Sequence, residues 1–197
     1  MAEFQESGWT LDFDDTAWTR IVKWDDDPCY RQGIERMKGK TRRRLRGCGL
    51  PRCHWRNGSD ELVDEGTRAV DFAAIGPGRI PWLVEVKSLR GDTATMPIEE
   101  RAVDIAAKVR DSLCGVEWAR PRSAGFVPSP DLQHVRRALG RATTVRVLVL
   151  FDDLRPGSRT QTLALQAKLR ELLIWLRGDV VVYGHQELPG ELGLAVS

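Results

Sequence analysis

Two β-strand patterns meeting at Gly76-Pro77-Gly78 constrain this chain more than any other feature. Ala69 to Ile75 is small, apolar and β-branched except at Asp71. Trp82 to Leu89 alternates with period two, which places Trp82, Val84 and Val86 on one face and Leu83, Glu85 and Lys87 on the other. The glycines and Pro77 are turn residues, and Pro81 belongs at a strand's start or edge. A hairpin folded about Gly78 sets residues whose numbers sum to 156 opposite each other, and Asp71 and Glu85 are such a pair.

Opposed like charges destabilise a strand pair. A divalent cation reverses the sign, because hard cations such as Mg²⁺ (or Mn²⁺) take carboxylate oxygens. Lys87 shares a face with Glu85, so its ammonium reaches the same place. Two acids and a lysine about a metal suit phosphodiester hydrolysis: the metal polarises phosphate and acidifies a bound water, while the lysine orients that water or stabilises developing charge.

Asp71 followed by Glu85-Val86-Lys87 resembles the PD-(D/E)xK nuclease superfamily of restriction endonucleases, RecB-like exonucleases and Holliday-junction resolvases. Val70 stands where that pattern usually has Pro. The resemblance implies an α/β, restriction-endonuclease-like core, with a central mixed β-sheet flanked by helices in the order helix, three antiparallel strands, helix, strand. It also implies Mg²⁺- or Mn²⁺-dependent cleavage of nucleic acid, DNA before RNA. Asp71, Glu85 and the carbonyl of Val86 then become expected metal ligands, and Lys87 the catalytic cation. A further acid from the preceding helix would be Glu35, with Glu61, Asp64 and Glu65 as competitors. A restriction, repair or phage-defence setting follows by analogy.

At 197 residues and 42% apolar composition the chain suits one domain with a real core. Net charge is only +2, so a polyanion has to be met by local patches. The densest is Lys38 to Arg46, with Arg42, Arg43, Arg44 and Arg46 as phosphate-binding candidates. Lys108 and Arg110, and then Arg136, Arg137 and Arg141, are the others. The sequence has no apolar run of membrane length and no signal peptide, and its four cysteines form no disulfide framework, all of which points to the cytoplasm. Cys48, Cys53 and His54 look faintly like half a zinc knuckle, with Cys29 as a fourth ligand; the spacing is loose, so free cysteines are the better reading and zinc the alternative.

Residues 1–27 read as an N-terminal extension, 28–188 as the domain and 189–197 as a loose tail. Trp18 to Trp24 suits a short strand or helical turn. Asp25 to Asp27 with Pro28 reads as an N-cap followed by Pro at the first helical position, opening a helix over Cys29 to Lys40. A metal-binding use of that acidic cluster is weighed and set below capping. Ser59 to Glu65 suits a helical turn. Helices are predicted over Ile98 to Leu113, ended by Gly115; from Ser129-Pro130-Asp131; and over Thr160 to Arg177, with Gly178 as its stop. Thr144 to Phe151 and Val180 to Tyr183 read as strands covered on both faces. The full order is α-β-β-β-α-β-α-β. Expected partners are nucleic acid and other proteins of a multi-component system, with homodimerisation left open and no membrane. The rival functions are a nuclease-fold module that binds DNA or protein without catalysis, and a zinc-dependent nucleic-acid-binding protein.

Overall fold

The computed structural model describes residues 1–31, 39–43, 61–65, 68–88, 96–119, 127–151 and 158–197, with 39–43 and 61–65 described only as strands. The first three strands are β1 (Ala2–Glu6), β2 (Trp9–Phe13) and β3 (Arg20–Lys23); β4 (Gly39–Arg43) and β5 (Glu61–Glu65) pair, among the described residues, with each other alone. The hairpin is β6 (Phe72–Gly76) and β7 (Ile80–Lys87). Next come α1 (Ile98–Trp118), α2 (Pro130–Arg141), β8 (Arg146–Phe151), α3 (Ser158–Leu172), β9 (Val180–Gly184) and β10 (Leu194–Val196).

The main sheet is five-stranded and mixed, in the order β3-β6-β7-β8-β9. β3, β6 and β7 are antiparallel neighbours, while β8 and β9 continue parallel to β7. The hairpin register is the expected one, pairing Phe72 with Val84, Ala73 with Leu83 and Gly76 with Ile80. Gly78 supplies the left-handed turn conformation, at φ 77°, that a residue with a Cβ adopts only under strain.

The faces divide as the alternation predicts. Leu83, Val147 and Val149 join a core with Ile105, Val109, Leu132, Leu165 and Leu169 from the three helices. Trp82, Val84, Val86, Leu148 and Leu150 face a second core with Leu11, Phe13 and Leu194. A sheet sandwiched in this way reads as nearly continuous apolar strands.

That second core corrects the expected domain boundaries. Residues 1–27 are no appendage: β1 and β2 cover one face of the main sheet, and β3 is one of its edges. Residues 189–197 are no loose tail, because β10 pairs with β2 and buries Leu194 in the same core. Trp18 Nε1 donates to the Leu192 carbonyl at 2.6 Å, joining the two ends of the chain.

Several local expectations also change. α1 runs past Gly115 because Val116 and Ala119 continue its buried stripe, and that burial offsets the roughly 1 kcal/mol cost of an interior glycine. α3 stops at Leu172 rather than Arg177, although Leu173 still packs in the core. Gly178 is therefore not its C-cap. It is where the backbone passes so close to Val145 that a Cβ would lie 1.6 Å from the Val145 oxygen. Glu61 to Glu65 is a strand rather than a helical turn; its partner supplies the cross-strand hydrogen bonds that its short sequence cannot signal. α2 begins as read, with the Ser129 hydroxyl accepting from the Leu132 amide at 3.1 Å. Asp27 caps the helical turn at Pro28, accepting from the Cys29 amide at 2.8 Å; of the helix predicted over Cys29 to Lys40, residues 32–38 lie outside the described residues, and Gly39 and Lys40 belong to β4 instead, paired with Glu65 and Asp64. Among the described residues, no helix is long and apolar enough to cross a membrane.

Candidate active site

The end of β3, the start of β6 and the end of β7 share one edge of the sheet, because the three strands are antiparallel neighbours. Four acids converge there. The Trp24 amide donates to the Asp71 carbonyl at 2.7 Å, extending the β3–β6 pairing by one step and bringing Asp25 alongside. Lys23 Nζ lies 3.1 Å from Glu6 and donates to the Gln5 carbonyl at 3.2 Å, so it ties the end of β1 to the end of β3. α1 fixes the approach to Asp71: Ser112 Oγ accepts from the Val70 amide at 2.9 Å and Asp111 from the Arg68 amide at 3.2 Å.

Asp71 is 6% exposed and Glu85 fully buried. Asp71 Oδ2 accepts from the Val86 amide at 2.5 Å, so β7 grips the acid opposite Glu85. Glu85 Oε1 takes two ammoniums, Lys108 at 2.6 Å and Lys87 at 3.0 Å. Its Oε2 is buried with no hydrogen-bond partner among the described residues, as is Oδ1 of Asp25. Lys87 is also 3.3 Å from Asp104, which pairs in turn with Arg68. Carboxylate oxygens of Glu6, Asp25 and Asp71 lie within 4.8 Å of one another.

The electrostatics show where positive charge is short. Burial and the neighbouring Glu85 push Asp71 from 3.8 up to about 8, against the pull of Lys108 and the Val86 amide. Burial, Glu6 and Asp26 push Asp25 up to about 6. Burial alone would lower Lys108, but Glu85, Asp71 and Asp104 outweigh it and hold the ammonium charged.

These groups fit a hard divalent cation. Two oxygens on one Mg²⁺ are at most about 4.2 Å apart, close to the spacing of the Glu6, Asp25 and Asp71 cluster. Buried carboxylate oxygens without partners carry an uncompensated desolvation cost that a cation removes. This acidic group and the expected Asp71, Glu85 and Val86 carbonyl overlap only in part. Asp71 is shared, Val86 contributes its amide to Asp71, and one oxygen of Glu85 is occupied by lysines.

Of the acids grouped with Asp71, Glu6 was not singled out in the sequence, and a metal-binding use of Asp25 was set below capping. Asp25 sits in the run read as caps, yet only Asp27 caps; Asp26 pairs with Lys23 and Arg31, and Asp25 turns to the site. Glu6 carries no local signal, since it arrives on a strand from the second sheet. Among the expected phosphate contacts, Lys108 is committed to Glu85. Arg136 and Arg137 lie on α2, which packs on β3, β6 and β7. Arg42 and Arg43 belong to β4, where the register sets Arg43 opposite Glu61 and Lys40 opposite Asp64, with Arg42 opposite Leu62. Glu35, Arg44, Arg46, Cys48, Cys53 and His54 lie outside the described residues. No family model, curated protein or solved structure matches this chain.

Proposed function

We propose that this protein is a Mg²⁺- or Mn²⁺-dependent nuclease that hydrolyses phosphodiester bonds, with DNA preferred to RNA, and that its main sheet is a restriction-endonuclease-like core. The observation that carries this reading is the hairpin register, which brings Asp71 opposite Glu85 with the Lys87 ammonium 3.0 Å from Glu85. The order of three antiparallel strands, then helices, then a parallel strand supports the proposed core. So does a site at one edge of an open α/β sheet, where such sheets bind ligands beyond the ends of their strands.

Asp71, Asp25 and Glu6 would hold the cation, with Oε2 of Glu85 as a candidate further ligand. When bound, the cation would supply a Lewis acid for phosphate and a water of lowered pKa. The chain's own residues do the rest. The Val86 amide fixes the Asp71 carboxylate. Lys87, anchored between Glu85 and Asp104, keeps its ammonium at the site, where it orients a water or stabilises charge on a phosphate oxygen. Arg42, Arg136 and Arg137 would draw the polyanion in. A non-catalytic binding module would have no need of this buried, like-charged pair.

The test is incubation with single- and double-stranded DNA and RNA in Mg²⁺ or Mn²⁺ against EDTA. Metal-dependent cleavage of at least one substrate is expected; no cleavage of any of them would contradict the proposal.

A further inference from the structure

α1 presents Asp104, Lys108 and Asp111 at helical spacing to the site, and each has a partner: Lys87, Glu85 and the Arg68 amide respectively. Lys108 is the member that the catalytic reading leaves unused. Its Nζ lies 2.6 Å from Glu85 Oε1, the oxygen that Lys87 already contacts at 3.0 Å. One carboxylate oxygen thus holds two ammoniums, while Oε2 of Glu85 and Oδ1 of Asp25 are buried with no hydrogen-bond partner among the described residues. We propose that Lys108 is a built-in counter-cation that competes with a divalent ion for this acidic cluster and so sets its metal affinity. This rests on the nuclease reading of the site and deepens it.

The physical basis is Coulombic. A unit positive charge in contact with a ligand carboxylate offsets part of that ligand's charge and repels a dication bound beside it, with little solvent between them. Without Lys108, Glu85 would keep the ammonium of Lys87, which is itself divided with Asp104, and Asp25 that of Lys23, which is divided with Glu6 and Asp26. Burial strengthens the effect, because Glu85 is wholly enclosed.

The test is calorimetric titration of Mn²⁺ into the full chain after EDTA treatment, for wild type, Lys108→Met and Lys108→Arg. Lys108→Met should tighten Mn²⁺ binding by about tenfold or more, since one adjacent charge is removed from the path of a dication. Lys108→Arg, which keeps the charge, should bind as wild type does. Lys108→Gln retains a donor for Glu85 and guards against a folding defect in the Met variant; it should tighten binding in the same direction. Unchanged or weaker Mn²⁺ binding by folded Lys108→Met or Lys108→Gln, with wild type binding normally, would overturn the counter-cation while leaving the metal site in place. Absence of Mn²⁺ binding by every variant, wild type included, would overturn both.

Discussion

The Val86 amide donates to the Asp71 carboxylate at 2.5 Å, so the strand that carries Glu85 and Lys87 also holds the acid facing them. One backbone hydrogen bond thereby sets where the Asp71 carboxylate sits. Replacing Asp71 should disturb the metal site without dismantling the hairpin, whose ladder begins at Phe72.

The first prediction concerns metal and stability. A cation that binds only the folded protein stabilises it by mass action. Mg²⁺ or Mn²⁺ should therefore raise the thermal midpoint of wild type, and Asp71→Asn should abolish that gain. Asp25→Asn should reduce it, because Asp25 belongs to the same cluster. An equal shift in wild type and Asp71→Asn would remove Asp71 from the site.

The second concerns pH. In the folded protein Asp71 titrates near 8, against 3.8 for the ordinary side chain. Between those values the folded state binds more protons than the unfolded one, so stability falls as pH rises. Its contribution is fully present below about 4 and lost as pH rises through about 8. In EDTA, wild type should lose stability from pH 5 to pH 8.5 relative to Asp71→Asn, measured by urea midpoint. Parallel pH profiles would show that Asp71 stays charged.

The third concerns packing. A Cβ at Gly178 would lie 1.6 Å from the Val145 oxygen, which is backbone and cannot swing away. Gly178→Ala should destabilise the fold by about 3 kcal/mol, at the upper end for overpacking. Urea denaturation reads this directly, and a loss below about 1 kcal/mol would mean that the β8–β9 connection yields more easily than its packing indicates.

The fourth concerns the basic run. Arg42 is the β4 arginine whose cross-strand partner is apolar. On duplex DNA each phosphate contact adds about 0.9 to the slope of log affinity against log salt. Arg42→Ala should flatten that slope by about one, and Arg43→Ala by less, since Glu61 stands opposite Arg43. Sequence preference should survive, because phosphate contacts position a duplex without reading it. Equal effects of the two substitutions would show that Glu61 does not screen Arg43.

What could be read in the sequence was local. The hairpin register follows from one turn and one alternation, so the opposition of Asp71 and Glu85 was visible in the residue numbers. The start of α2 follows from Ser129 and Pro130, and β8 from an unbroken apolar run. The pairing of β2 with β10 joins residues near opposite ends of the chain, and nothing local in Leu194 to Val196 announces a partner. Glu6 enters the site only through that second sheet, and Asp25 only once β3 is an edge of the main one. Capping chemistry explains Asp27 and, applied to its neighbours, hides the different role of Asp25.

The most direct test of the account is single-turnover cleavage by Lys87→Ala beside wild type, in Mn²⁺, with nucleic-acid affinity measured on the same preparations. In the proposed reaction Lys87 acts on charge that develops in the transition state, so its loss should cost about 3 kcal/mol of stabilisation, roughly a hundredfold in rate. Affinity should stay within a few-fold of wild type. Near-normal cleavage by Lys87→Ala would contradict the assignment of this site as the centre of phosphodiester hydrolysis.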